Sequence, residues 1–290
     1  MFAPGVTFAL LSALLATGKD LFSKKLAFSL TGVVSAYGSF LFALPFYLLA
    51  IIVAYAMGWE SFEVGSAFFI YVLLRALTDS AAEWLKMTAL RAGDLSFVAP
   101  FLGLAPLFLL FVAPVLIGDS IPLVGVMAVL VTVAGAFMLL SGPRKEGSLR
   151  AVLIALAASF FFALNTSFDK LAVQEASPLL SAAAMTFMAG GFLSLPAYRS
   201  RVVGARPFFK GNYVPLFIRG FLELLFMVTK LTALLYLPAQ YVAAIGKVSL
   251  LLAVFGGGVF FKEGQIFRRV AGCLVILLGV AWVVFLSPDY

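Results

Sequence analysis

Histidine is absent from this sequence, and cysteine occurs once, at Cys273 inside the last apolar segment. Without histidine the chain lacks the commonest metal ligand and the side chain that titrates near neutrality. A single thiol permits no intrachain disulfide and no cysteine-based metal site. There is also no paired-aspartate metal motif and no nucleophile elbow, so no metal, no cofactor and no enzymatic activity are expected. Charge is scarce as well. Only 11% of the 290 residues are Asp, Glu, Lys or Arg, while 63% are hydrophobic and the mean hydropathy is +1.12. That balance excludes a water-soluble globular fold. The net charge of +7 does not point to nucleic acid, because most of the basic residues sit in short loops between apolar segments. A basic leader region is missing too: the first apolar stretch runs straight into Lys19, Asp20, Lys24 and Lys25. It is expected to be a retained span, not a cleaved signal peptide.

What is present is a series of apolar runs. About 20 predominantly apolar residues cross roughly 30 Å of hydrocarbon, and the sequence supplies ten such runs: 5–23, 31–56, 66–90, 95–117, 121–141, 149–169, 178–197, 213–235, 239–261 and 266–287. Turn formers separate them, among them Gly58, Gly93-Asp94, Gly118-Asp119 before Pro122, Gly142-Pro143, Ser177-Pro178, Pro238 and Gly264. The expected fold class is all-α integral membrane, with ten transmembrane helices.

An internal repeat divides the series. In the third span of each half, Arg75, Asp79, Lys86, Thr88, Ala89 and Leu90 return 144 positions later as Arg219, Glu223, Lys230, Thr232, Ala233 and Leu234. The same offset relates Asp119 to Glu263 and Gly135 to Gly279, and Lys25-Leu26-Ala27 recurs as Lys170-Leu171-Ala172. Two five-helix repeats are therefore expected, residues 1–145 and 146–290. An odd number of spans per repeat makes the second enter the membrane from the opposite side, the inverted arrangement found in transporters.

Loop charges agree with inversion. Of the basic residues, loops after odd-numbered spans carry Lys24, Lys25, Arg91, Arg144, Lys145, Arg150, Arg199, Arg201, Arg206, Lys210, Lys262, Arg268 and Arg269, whereas loops after even-numbered spans carry only Lys170. By the positive-inside rule both termini lie outside the cytoplasm. A prokaryotic plasma (inner) membrane is the expected location.

Ten ionisable residues fall in or near the spans: Lys19, Asp20, Arg75, Asp79, Glu83, Lys86, Arg219, Glu223, Lys230 and Lys247. Each costs about 2.5–3.5 kcal/mol at a helix centre, so they should face one another or water. At about 100° per residue, Arg75, Asp79, Glu83 and Lys86 share an arc of roughly 80°, and Arg219, Glu223 and Lys230 form the matching stripe. On one reading Arg75-Asp79 and Arg219-Glu223 are i,i+4 pairs that neutralise themselves and make the spans insertable. On the other, the two stripes enclose a polar cavity. Six of the ten are cationic and four anionic, which makes that cavity net cationic by two and suited to an anionic solute held by Arg and Lys. With the Lys-Leu-Ala repeats aligned, Asp20 and Asn165 hold equivalent places, as a proton- or ion-coupling group facing an amide; the alternative is a Lys19-Asp20 pair reaching the interface. Tyr241, beside Tyr236 and Gln240, either hydrogen-bonds the solute or anchors the helix at the interface.

Taken together, the duplicated five-helix unit, Gly118-Asp119 followed by Gly135, and Lys262-Glu263 followed by Gly272 and Gly279 resemble the drug/metabolite transporter superfamily, in particular its EamA-like ten-helix members. The resemblance implies a central cavity lined by spans 1, 3, 4, 6, 8 and 9, with spans 5 and 10 peripheral, and alternating access by rocking of helix groups. It also implies cytoplasmic termini, against the loop charges. Lys247 is similar to the lysine on the ninth span of the sugar-phosphate and nucleotide-sugar carriers, but Gly103 stands at the equivalent place in the first half. The expected function is a secondary transporter for a small polar, anionic or zwitterionic metabolite. The alternative is a flippase for a lipid-linked polar head group. Expected partners are the small-molecule or lipid-linked substrate and membrane lipids, with the chain a monomer or homodimer.

Overall fold

The computed structural model describes residues 2–59, 62–117, 148–202, 209–237, 239–249 and 266–286, with isolated helical positions at 123, 127, 130, 131, 134, 135, 138 and 252. The elements are α-helices: α1 (Phe2–Ala27), α2 (Gly32–Leu41), α3 (Leu44–Ala56), α4 (Phe68–Ala92), α5 (Leu95–Leu102), α6 (Ala105–Leu116), α7 (Ser148–Ala172), α8 (Pro178–Val202), α9 (Tyr213–Tyr236), α10 (Ala239–Ile245) and α11 (Ile266–Leu286). Among the described residues there is no strand, and the β-type pairing is one isolated bridge, Val64 with Ala176. The expected fifth span and the ninth beyond Ser249 lie outside the described residues except at isolated positions.

Five helical stretches are long and apolar enough to cross a membrane: Pro4–Ala27, Gly32–Ala56, Phe97–Leu116, Leu149–Ala172 and Pro178–Ser200. Helices α4 and α9 match them in length, at 25 and 24 residues, but carry the two charged stripes. Polarity is distributed inside out. Leu48, Leu49 and Ile52 of α3 are 62%, 61% and 55% exposed, whereas Arg75, Glu83, Arg219 and Asp169 are buried. That is the reverse of a water-soluble domain, where charged side chains are almost never fully buried unless paired.

Two expected spans are each split by proline. Pro45 stands at the start of α3, just after the break at Phe42-Ala43, and Pro106 at the start of α6, just after the break at Gly103-Leu104. A proline nitrogen has no hydrogen to donate, so the carbonyl four residues earlier loses its helical partner. For Pro106 that carbonyl belongs to Leu102, and the Ser159 hydroxyl of α7 donates to it at 3.0 Å. At the other break the backbone itself is the contact surface: a side chain added to Gly220 of α9 would collide with the Phe42 carbonyl.

The most extensive helix contacts join α4 to α7 and α1 to α9. Each pair therefore takes one helix from each half of the sequence. The connections sort to two ends. At one end Ser29 Oγ donates to Asn212 at 2.8 Å, and Thr31 lies 3.5 Å from Ser200. At the other, Gly65 N donates to the Glu175 carbonyl at 2.7 Å.

Helix ends correct the expected boundaries at two decisive places. Helix α1 continues to Ala27 and α7 to Ala172, which brings Lys24 and Lys170 into helices instead of loops. Lys24 is buried and donates to the carbonyls of Leu90, at 2.7 Å, and Gly93 at the end of α4. Lys170 donates to the carbonyls of Leu234, at 2.5 Å, and Leu237, at 3.1 Å, at the end of α9. An ammonium there satisfies carbonyls that have no intrahelical partner and complements the negative end of the helix dipole.

Substituting Gly220 by Val should lower stability by about 1–3 kcal/mol, because the α9–α2/α3 crossing has no room for a branched side chain. The check is the melting temperature in detergent; an unchanged value would show that the crossing tolerates separation.

Candidate functional site

Nearly all the ionisable groups expected in the membrane converge on one cavity of about 160 Å³. At roughly 15 Å³ of probe-occupied volume per molecule, that is space for on the order of ten waters. Its walls come from α1, α4, α5 and α6, α7, α9, and α10 with the turn that follows it. These correspond to the expected spans 1, 3, 4, 6, 8 and 9. Asp20, Arg75, Asp79, Glu83, Lys86, Asn165, Glu223, Lys230 and Lys247 all line it. Arg219 does not: it lies behind the wall, fully buried. The side chain of Tyr241 lies outside the described residues.

The charges organise into two groups around the two arginines. In the first, Arg219 reaches Glu83 of α4 at 2.8 Å, Glu223 at 3.4 Å and the Ser23 hydroxyl of α1 at 2.8 Å. Lys19 lies 3.1 Å from Glu223 and stands 4.0 Å over the Phe226 ring, while Lys86 reaches Asp20 at 2.6 Å and Glu83 at 3.4 Å. Lys19, Lys86 and Arg219 thus balance Asp20, Glu83 and Glu223. In the second, Arg75 reaches Asp79 at 2.6 Å and Asp169 of α7 at 2.7 Å, and Lys230 reaches Asp169 at 2.6 Å. Arg75 and Lys230 balance Asp79 and Asp169. Both groups are neutral.

The arginines hold matching positions with opposite assignments of charge. Arg219 meets neutral Ser23 on α1 and acidic Glu83 on α4. Arg75 meets acidic Asp169 on α7 and the neutral Met227 sulfur on α9, the latter at 3.8 Å. Glu83 and Met227 are 144 positions apart, as the arginines are. Each arginine ends with two carboxylates, one from its own helix and one from another. The alternative in which the i,i+4 pairs simply neutralise themselves is thus only half of the arrangement: both pairs form, and both arginines also cross to a different helix.

Several expectations change. Asp169, absent from the ten residues expected in the membrane because it falls at the predicted end of its span, is completely buried at the centre of the second group. Counting it lowers the cationic excess from two to one. The Lys19-Asp20 pair does not form; both residues turn to partners on other helices, Glu223 and Lys86, and Lys19 is buried instead of reaching an interface. The contacts also revise the alignment of α1 with α7. Lys24 matches Lys170, and Ser23 matches Asp169, an offset of 146, which sets Lys19 and not Asp20 opposite Asn165. Asn165 is a partnered amide: it donates to Asp79 at 3.0 Å and accepts from Thr78 at 2.5 Å. Asp20 has the more open carboxyl, its side chain 24% exposed.

Lys247 is distinct. It sits with Gly246 in the turn after α10 and lines the cavity, yet among the described residues it makes no hydrogen bond or ion pair. Its counterpart by offset, Gly103, occupies the break between α5 and α6 and also lines the cavity, without a side chain.

The model of the EamA-like transporter family matches residues 149–285. No curated protein matches the sequence. A crystal structure of a protein 12% identical to this chain superposes with a TM-score of 0.69 over 99% of this chain and 98% of its own. At that identity the likeness is one of fold.

Asp169→Asn should destabilise the protein by about 3–5 kcal/mol, since it strips both Arg75 and Lys230 of a buried carboxylate. Asp20→Asn, at a half-open site with one cationic partner, should cost distinctly less. Melting temperatures of the two variants in detergent decide the point, and equal losses would contradict the central place given to Asp169.

Proposed function

We infer that this chain, whose residues 149–285 are a domain of the EamA-like transporter family of the drug/metabolite transporter superfamily, is a secondary transporter that carries a small polar, anionic or zwitterionic solute by alternating access. It is an all-helical integral membrane protein. The observation that carries the reading is the cavity: a space of about 160 Å³ amid apolar helices, walled by both halves of the sequence and lined by ionised side chains. In a membrane such residues mark substrate and ion pathways, and a site at the interface of two repeats is the usual transporter arrangement.

We assign residues 1–145 and 146–290 to two inverted five-helix repeats, ten spans in all. Three matched contacts support this assignment: Lys24 and Lys170 at helix ends, the arginines' contacts with Ser23 of α1 and Asp169 of α7, and the arginines' contacts with Glu83 and Met227. The moving bodies are the pairs α1–α9 and α4–α7. Lys24 ties the first pair to the second at one end, and Lys170 ties the second to the first at the other. Releasing one lysine while the other holds opens the cavity to one side of the membrane. With the basic loops facing the cytoplasm, both termini lie outside it, in a prokaryotic plasma membrane.

Proteoliposomes assayed in parallel for soluble small acids and for a fluorescent lipid head group test the transport itself. Lys247→Ala and Arg75→Ala should each lower solute flux by about tenfold or more, a barrier of about 1.4 kcal/mol. Undiminished flux in both variants removes the binding role of these residues, and movement of the lipid alone moves the assignment to a flippase.

The two lysines have separate readouts. Lys24→Met should raise labelling of an Ala243→Cys reporter by a membrane-impermeant maleimide from one face of the membrane, and Lys170→Met from the other. Increases on the same face for both would rule out the two-latch motion.

A further inference from the structure

We propose that the transported solute carries one net negative charge, and that Lys247 is the residue that selects for it. This rests on the transporter reading and narrows it to a charge class. The starting point is the partnering of the cavity's ions. Every other cation at the site has a carboxylate oxygen within 3.1 Å: Lys19 on Glu223, Lys86 on Asp20, Arg75 on Asp79 and Asp169, Arg219 on Glu83, and Lys230 on Asp169. Every carboxylate is matched in turn. Among the described residues the site therefore carries one unbalanced charge, the ammonium of Lys247.

An ion out of water is stabilised only by a charge partner or a dense shell of hydrogen bonds. A singly charged anion supplies Lys247 with that partner and leaves the occupied cavity neutral. A doubly charged anion brings a second charge with no cation to meet it, since taking one from either neutral group strands a buried carboxylate there. A neutral solute or a zwitterion leaves the excess positive charge in place while displacing the water that solvates it.

The position of Lys247 suits selection better than structure. It sits in a turn between helical segments, not along a helix face, and the residue as a whole is half-buried. It is not a member of either ion group, so among the described residues its removal breaks no pair. The half-repeat counterpart, Gly103, offers no cation, so the two positions do not form a symmetric clamp for a phosphate or diacid. A doubly charged phosphate, the cargo suggested by the lysine's likeness to sugar-phosphate carriers, is on this count the wrong charge.

The test uses the full-length protein in detergent and matched triples of small solutes: a dicarboxylic acid, its half-ester and its diester at neutral pH, over several chain lengths. Thermal stabilisation measures affinity, because a ligand bound by the folded state alone raises the melting temperature. The tightest-binding triple should show the half-ester at least about tenfold tighter than either relative. Lys247→Met should abolish that preference, and Lys247→Arg should retain it; the melting temperatures of both variants without ligand verify that they are folded. A diacid or diester as the tightest member, a half-ester preference that survives in Lys247→Met, or a series in which no half-ester binds, each overturns the proposal. Flux measured in liposomes separates it from the reading beneath it. Half-ester binding without movement across the bilayer keeps the charge match and removes the carrier. Movement of diacids that is indifferent to Lys247 keeps the carrier and removes the charge match.

Discussion

An ionised side chain removed from water must find a partner of opposite charge, and the centre of this protein is arranged around that requirement. Apolar helices of sufficient length insert into a membrane on composition alone. Helices α4 and α9 are as long but carry charge, and their charges meet others inside the bundle. The pairing is not confined to single helices. Each arginine takes one carboxylate from its own helix and another from a different one, so the charged groups hold the bundle together as they become buried. A buried ion pair contributes little net stability against an apolar pair of the same size, but losing one partner is severe. Such groups link particular helices to one another around the cavity.

That constraint explains the asymmetry between the halves. In the first group the cross-helix acid is Glu83 and the α1 position is Ser23; in the second the acid is Asp169 and the equivalent of Glu83 is Met227. The acid has exchanged positions while the count of carboxylates per arginine stays at two. Its place matters locally: because Ser23 offers Lys86 no carboxylate, that lysine turns instead to Asp20, one turn away on α1.

The helix pairs and the cavity are consequences of the same packing. Pairing α1 with α9 and α4 with α7 leaves the charged faces pointing at a common centre. The prolines at 45 and 106 interrupt two further helices, and at the second break Gly103 lies on the cavity wall. Backbone freed from a helix is tolerated at membrane depth only where side chains or water satisfy it. Ser159 does so for Leu102.

Much of this was legible in the order of residues. Among the described residues, apolar run lengths located the helices to within a few residues, because the bilayer sets a length and hydropathy reports it directly. The constant offset of 144 identified the charged stripes, since ionised residues do not recur in apolar segments without a reason. What the sequence could not determine was partnership. Asp169 and Lys24 look like residues at the edge of a span until α7 and α1 extend past them, and where a helix ends depends on what its last turn packs against. The offset changes from 144 in one helix to 146 in another because the connections before them differ in length, so only contacts in space reveal that Lys24 matches Lys170. The excess of cations was readable as composition; that Lys247 is, among the described residues, the cavity cation without a carboxylate partner was decided by the tertiary structure, because neutralisation depends on distance and not on count.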